Sequence, residues 1–243
     1  MQTIIGKVKT LNRYPVKSFS GESLTETKIE RYGLYGDRCY AFLDEKSPVK
    51  YLTAKHVPSL IEYKANLINK ENNKAFPYVK ITSPKGKLYS WEDDDFFHDI
   101  KQLSNRPLER VKFSPEDNMM AVDQANILLV TKPSLDALKQ EWGKDMSYLR
   151  FRPNIVLSID DNIPFLENEW MDKHIQINDT VLKIYKQCKR CKMVNIDPEK
   201  YDIDPTLLKT LAQHHNVNFG VYASVIKTGT IQLEDDVYLF ADQ

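Results

Sequence analysis

The sequence predicts a β-dominated α+β protein with barrel-like sheets, divided into two domains. Short apolar runs, alternating or continuous, recur along the chain, and Gly, Pro, Asn or Asp punctuate them. Helical spacing is confined to a few brief stretches. A turn-rich break at Pro115-Glu116-Asp117-Asn118 separates residues 1–115 from 116–243, and a chain of 243 residues can supply a core to each part.

The elements follow in order. Residues 3–11 alternate loosely, and Tyr14-Pro15-Val16-Lys17-Ser18 interrupts them because proline cannot donate to a strand ladder. Residues 23–29 alternate again and lead to a glycine-flanked turn, Tyr32-Gly33-Leu34-Tyr35-Gly36-Asp37-Arg38. Cys39-Tyr40-Ala41-Phe42-Leu43 reads as a strand that pairs with 49–53 across a Ser47-Pro48 turn. Further strands are expected at 61–68, 78–83 and 87–91, the last two joined through Pro84-Lys85-Gly86. Residues 93–100 open on three aspartates and suggest a short helix whose acids form a solvated first turn.

In the second part, Ile127-Leu128-Leu129-Val130 is a buried strand, and Ser134 is expected to cap a helix through Leu135, Leu138 and Trp142. Residues 155–159 form another buried strand, and 175–177 with 181–185 bracket a hairpin turn at Asn178-Asp179. Pro205 suits the start of a helix over 206–213. Strands at 218–225 and 237–240 close the chain around Thr228-Gly229-Thr230.

Composition narrows the function. Lys+Arg and Asp+Glu both number 34, so no global field points to nucleic acid or an anionic membrane surface. No apolar run is long enough to span a bilayer, and the first residues lack the layout of a secretory signal. Three cysteines, an odd number, argue against a disulfide framework and for a reducing compartment, so a cytoplasmic protein is expected.

Two of those cysteines carry the chemistry, in Tyr185-Lys186-Gln187-Cys188-Lys189-Arg190-Cys191-Lys192. A thiolate is a soft ligand and a strong nucleophile, and surrounding cations favour its charged form. Spacing leaves three readings open. The pair could be a surface turn at a strand end, a zinc half-site completed by His214 and His215, or a redox dithiol. The dithiol reading requires the motif to open a helix, whereas Met193-Val194-Asn195-Ile196-Asp197-Pro198 looks extended before a turn.

Four separated pieces resemble one family. Tyr14-Pro15-Val16-Lys17-Ser18, Gly33-Leu34-Tyr35-Gly36-Asp37-Arg38, Phe151-Arg152-Pro153-Asn154-Ile155-Val156 and Cys188-Lys189-Arg190-Cys191 with Asp197-Pro198 occur in the order found in MOSC proteins. That family is related to the C-terminal domain of molybdenum cofactor sulfurase. Phe219-Gly220-Val221-Tyr222 fits the same pattern, and the resemblance runs from residue 3 to 240. It implies an N-terminal β-barrel domain over 1–115 and a MOSC barrel over 116–243, with a layout similar to the amidoxime-reducing members of the family. It further implies a molybdenum cofactor, a pterin dithiolene with a phosphate tail, ligated by Cys191. Lys17, Arg38 and Arg152 match positions that face that cofactor, and Ser18, Thr53, Thr131 and Asn154 could add neutral hydrogen bonds. The implied activity is reduction of a small N-hydroxylated substrate. Its electrons come from an external donor protein, a flavin reductase or a small electron carrier, because the chain lacks a nucleotide fingerprint and the cysteines for an iron–sulfur cluster. A non-catalytic carrier of cofactor or sulfur is the alternative. One departure from the family pattern is Asp37-Arg38-Cys39-Tyr40, where a tyrosine stands in for the family's frequent tryptophan.

Overall fold

The structure, a computed structural model, describes residues 3–48, 50–68, 75–122 and 124–241. Strands β1 (Thr3–Arg13), β2 (Glu22–Leu24), β3 (Glu26–Glu30), β4 (Gly33–Leu34) and β5 (Tyr40–Asp44) come first. A 3-10 turn (Pro58–Glu62) precedes β6 (Lys64–Leu67), β7 (Val79–Thr82) and β8 (Leu88–Ser90). Helix α1 (Asp94–Ser104) and β9 (Leu108–Lys112) follow. Beyond them lie β10 (Ile127–Thr131), α2 (Lys132–Trp142), a 3-10 turn (Tyr148–Phe151) and β11 (Ile155–Ile159). A third such turn (Leu166–Trp170), β12 (His174–Ile177), β13 (Thr180–Lys189) and a fourth turn (Lys192–Asn195) lead to α3 (Thr206–His214). The chain closes with β14 (Asn218–Lys227), β15 (Gly229–Gln232) and β16 (Asp236–Phe240).

The protein is thus β-dominated α+β, as its sequence predicts. It forms two compact units that interleave along the chain: one of residues 1–12, 23–34 and 125–243, the other of 13–22 and 35–124.

The first unit is built on a closed 7-strand barrel in the order β11-β10-β14-β13-β12-β16-β1, sealed by β1 pairing with β11. Closure leaves these strands no free edge. Gly6 makes it sterically workable. It sits at φ +149 where β1 shifts register between its partners, and a Cβ there would lie 1.9 Å from the Ser158 carbonyl oxygen. Inside, Val8, Leu11, Leu129, Leu157, Ile175, Ile177, Leu182, Ile184 and Val221 form one buried cluster. β10 and β11 run parallel, and α2 lies in the crossover that such a pairing requires. Their outward residues Val130 and Val156 are buried as well, under Leu138 of α2, Leu207 and Leu211 of α3, and Phe151 and Phe219. Burial on both faces explains why Ile127-Leu128-Leu129-Val130 is a continuous apolar run rather than an alternating one.

The second unit pairs β5 with β9 and orders β6-β7-β8 in a separate sheet. Single bridges, Val16 to Tyr40 and Ser20 to Lys64, tie residues 13–22 to both. Its core is aromatic: Phe96 of α1 packs against Phe42 at 5.9 Å, Tyr89 at 5.4 Å and Phe19 edge-on at 6.2 Å. The Asp94 side chain, in the first turn of α1, is exposed and pairs with Arg110 of β9, as expected of a solvated acid run.

Several expectations are corrected. The run 23–29 breaks into β2 and β3, and 61–68 begins inside a 3-10 turn started by Pro58. In the expected strand 49–53, Val49 lies outside the described residues, and Tyr51 makes only a single bridge to Leu43. β9 and β15 were not anticipated: Leu-Glu-Arg-Val-Lys carries little apolar signal, and Gly229 opens β15 in what reads as a turn. The cap of α2 is Thr131, whose hydroxyl accepts from the Ser134 N–H; Ser134 lies inside the helix.

Candidate functional site

In the barrel unit the cysteine motif grows out of β13. Strict alternation from Leu182 and Ile184 would turn Lys186 inward, but β13 shifts register between Ile184 and Lys186 and again between Gln187 and Lys189. Such bulges re-aim side chains. Lys186 is exposed, Cys188 is buried, and Cys191, just past the strand, is half-buried. Cys39 is buried in the other unit, where burial pushes its thiol well above the ordinary range. All three cysteines are free, and Cys191 is the most accessible of them. Lys189 and Lys192 beside it are exposed cations, and Arg190 is half-buried.

Cys191 heads the 3-10 turn Lys192–Asn195, whose Val194 N–H donates to the Cys191 carbonyl at 3.1 Å. The motif therefore opens one short 3-10 turn rather than running extended, and the α-helix of a redox dithiol is absent. A buried ion pair holds this turn. The Arg150 guanidinium donates to Asp197 Oδ2 at 2.8 Å and to the carbonyls of Asn195 at 2.8 Å and Val194 at 3.3 Å. Asp197 Oδ1 accepts from the N–H groups of Glu199 and Lys200 at 2.8 and 3.0 Å. Burial alone would raise the Asp197 carboxyl. The two N–H groups and the Arg150 charge outweigh it and hold that carboxyl below its ordinary value.

Arg152 takes the left-handed conformation (φ 55) that ends the turn Tyr148–Phe151, and its N–H closes that turn on the Leu149 carbonyl. Arg190 Nη2 donates to the Phe151 carbonyl at 2.7 Å, so one contact joins the neighbours of Arg152 and of Cys191. The chain segments that carry these two predicted residues are thus in contact.

Asn154 and Thr131 serve the framework instead. Asn154 is buried; its Oδ1 accepts from the Leu128 N–H at 3.1 Å and its Nδ2 donates to the Asn12 carbonyl at 3.3 Å, stapling β1 to β10. Thr131 Oγ1 caps α2 and donates to Glu167 Oε2 at 2.9 Å. Both side chains hold backbone and cap.

In the other unit, Lys17 and Arg38 converge on one loop. The N–H groups of Lys17 and Tyr40 donate to the carbonyls of Tyr40 and Pro15, and the Arg38 N–H donates to the Tyr14 carbonyl at 2.8 Å. Lys17 Nζ donates to the Ala121 carbonyl at 2.7 Å, while the Ala121 N–H donates to the Arg38 carbonyl at 3.1 Å. The Arg38 guanidinium pairs with Asp37 and lies over the Tyr14 ring. Ser18 is buried in a tight turn at φ 70, and Thr53 Oγ1 contacts His56 Nδ1 at 3.3 Å. Ser18, Arg38 and Arg152 all occupy the left-handed region without being glycine, a conformation costing roughly 1–2 kcal/mol each.

The zinc reading finds no support. His215 is held by Glu141 at 2.6 Å and packs against Phe165 with the rings tilted, their centroids 4.3 Å apart. Among the described residues no three His, Cys, Asp or Glu side chains converge as metal ligands. A single accessible thiol flanked by cations is a donor set that suits the one protein sulfur which the resemblance implies for its cofactor. Arg150 is a site support that the sequence does not single out, whereas Arg190 and Asp197 lie in the motif without any sign of what they hold. The signal for Arg150 is an arginine on either side of Phe151.

Comparison with known proteins agrees with this motif layout. The MOSC domain matches residues 116–238, and the MOSC N-terminal beta barrel domain matches residues 5–90. The chain belongs to the MOSC family. Among relatives of this MOSC protein, the mouse (Mus musculus) protein named mitochondrial amidoxime-reducing component 1 is 24% identical over 97% of this chain and 82% of its own length. A zebrafish (Danio rerio) protein of that name is 33% identical over 55% of this chain and 43% of its own length. The molybdenum cofactor sulfurase of Bombyx mori is 30% identical over 58% of this chain, and the match spans 18% of that longer protein. The crystal structure of the YuaD protein from Bacillus subtilis superposes with a TM-score of 0.55 at 11% identity, covering 100% of this chain and 99% of that one, a likeness of fold alone. Among the described residues no helix is long and apolar enough to cross a membrane.

Proposed function

We propose that this MOSC protein binds molybdenum cofactor through the Cys191 thiolate and reduces small N-hydroxylated compounds with electrons from a separate reductase or small electron carrier. The observation that carries the reading is Cys191 itself. It is an accessible thiol held at a strand end by a buried ion pair and flanked by cations, while Cys39 and Cys188 are buried. When bound, the cofactor supplies two-electron chemistry at an N–O bond. The N-hydroxy compound takes up two electrons and two protons and leaves as the reduced nitrogen compound and water. Arg152, beside the Cys191 loop, is the residue for an anionic group of the cofactor, and its left-handed backbone aims it independently of the preceding turn. Lys17, Ser18, Arg38 and Thr53 are proposed as further cofactor contacts. Asn154 and Thr131, which hold β1, β10 and α2 in place, belong to the same proposal as neutral hydrogen-bond contacts. The free cysteines suit a reducing compartment, and a cytoplasmic location belongs to the same proposal.

A second reading, a non-catalytic carrier of cofactor or sulfur, draws on the relatives named molybdenum cofactor sulfurase, which match this chain over a small part of their own length. One preparation separates the two. The protein is made in a host that synthesises molybdenum cofactor, beside Cys191→Ala, and bound molybdenum and pterin are measured. Stoichiometric molybdenum and pterin in the wild type, lost in the variant, with turnover of a hydroxylamine or amidoxime by an artificial electron donor, is the expected result. Occupancy without turnover would favour the carrier. No molybdenum in either protein, or equal amounts in both, overturns the cofactor reading.

A further inference from the structure

Cys188 and Cys191 have the spacing at which two thiols readily close into a disulfide, yet their surroundings separate them. Cys188 is 1% exposed, and Arg190 Nη1 donates to its sulfur at 2.7 Å. The same guanidinium donates through Nη2 to the Phe151 carbonyl at 2.7 Å and lies over the Phe151 ring, 5.4 Å from its centroid. Because a guanidinium is planar, fixing Nη2 on a carbonyl and the plane on a ring also fixes the direction of Nη1. Its Nε is buried with no partner among the described residues, so the orientation serves the sulfur and the carbonyl rather than the donor count of the arginine. The Arg190 main chain is anchored too, its N–H donating to the Val217 carbonyl at 2.7 Å.

We propose that Arg190 is a positioning residue. It holds the Cys188 sulfur in the interior, prevents its closure onto Cys191, and leaves Cys191 as the single available thiol of the pair. The side chain that looks in sequence like one more cation for an anionic ligand instead faces inward. The inference rests on Cys191 being the working thiol, but its test reads thiol chemistry and needs no cofactor.

Wild type, Arg190→Ala and Arg190→Lys are treated with iodoacetamide under native conditions, and each cysteine is followed by peptide mass spectrometry. A second aliquot receives diamide, which takes two electrons and two protons from a thiol pair as a disulfide forms and is itself reduced to the hydrazine. In the wild type, Cys191 is expected to alkylate while Cys188 and Cys39 stay protected, and diamide yields no internal disulfide. In Arg190→Ala, Cys188 labelling should rise by roughly tenfold or more, as for a shielded thiol returned to solvent, and diamide should join Cys188 to Cys191. Arg190→Lys keeps the charge but not the fork, so it should behave like Arg190→Ala rather than rescue it. Cys39 is the control: labelling there would report general unfolding and not loss of the clamp. Ready disulfide formation in the wild type overturns the proposal. So does unchanged Cys188 labelling and disulfide yield in a folded Arg190→Ala, or full protection by lysine. A protein that keeps the labelling pattern but binds no molybdenum would retire the cofactor reading and leave the clamp standing.

Discussion

Replacing Asp197 by asparagine tests the pair that holds the Cys191 turn. Asp197 Oδ2 takes a charge-assisted bond from Arg150 at 2.8 Å, and both residues are buried. An asparagine can keep its oxygen on the Glu199 and Lys200 N–H groups, but it then turns an NH2 toward the guanidinium. A lost charge-assisted hydrogen bond costs about 1.5–3 kcal/mol, and breaking one side of a buried pair about 3–5 kcal/mol. Arg150 retains the carbonyls of Val194 and Asn195 and a longer contact to Asp202 at 3.4 Å, which places the expected loss where those ranges meet, about 3 kcal/mol. With a urea slope of about 1–3 kcal/mol/M, the midpoint should fall by roughly 1–3 M. Trp142 fluorescence is the probe, since the Arg150 guanidinium lies 5.3 Å from its ring.

The pH dependence gives a second reading. The folded carboxyl is held below its unfolded value, so the pair stabilises fully above the unfolded pKa of about 3.9 and its contribution is lost as pH falls toward the folded value. The stability gap between wild type and Asp197→Asn should therefore be widest near neutrality and close in acid. A midpoint shift too small to measure, or a gap unchanged from neutral pH into acid, would refute the reasoning.

Two further substitutions address the barrel. Burial raises the Glu167 carboxyl, against the pull of its bonds from Ser134 and Thr131, so its ionisation weakens the fold as pH rises from the unfolded value of about 4.3 through the folded one. Glu167→Gln should flatten that decline in a urea titration against pH, removing a slope of on the order of 1.4 kcal/mol per pH unit between the two values; an unaltered slope would exclude the assignment. Gly220 in β14 sits at φ 74, where a Cβ would come 2.6 Å from Val130 Cγ1 and 2.8 Å from the Leu129 carbonyl oxygen. Gly220→Ala is expected to cost about 2–3 kcal/mol in thermal or urea unfolding, from backbone strain together with overpacking; a neutral result would contradict the contact.

Much of the fold could be read residue by residue because strand and helix periods are local properties. β10 and β11 announced themselves as continuous apolar runs, and α3 by its proline start and apolar spacing. β9 did not, because Leu-Glu-Arg-Val-Lys becomes a strand only through pairing with β5, some seventy residues earlier in the chain. The helix cap was misplaced by three residues for a similar reason: Thr131 and Ser134 are both good capping types, and the buried Glu167 brought alongside binds both.

The candidate site divides in the same way. Sequence by itself determined the family motifs, the cysteine spacing, the cationic loop and the residue types able to hold an anion, since these are statements about chemistry at neighbouring positions. Only the tertiary structure decided which thiol is accessible and what each charged side chain faces. Bulges in β13 turned Lys186 out to solvent, while Cys188 is buried and Cys191, past the strand end, is half-exposed. A 3-10 turn buried Arg150 and directed it to Asp197, while Arg152, left-handed just after that turn, stands apart from it. Thr131 and Asn154 were absorbed by the cap and the sheet. The physical reason is that a polar side chain goes where its burial can be compensated, and those partners lie far away in sequence, in groups that only the folded chain brings within hydrogen-bond distance.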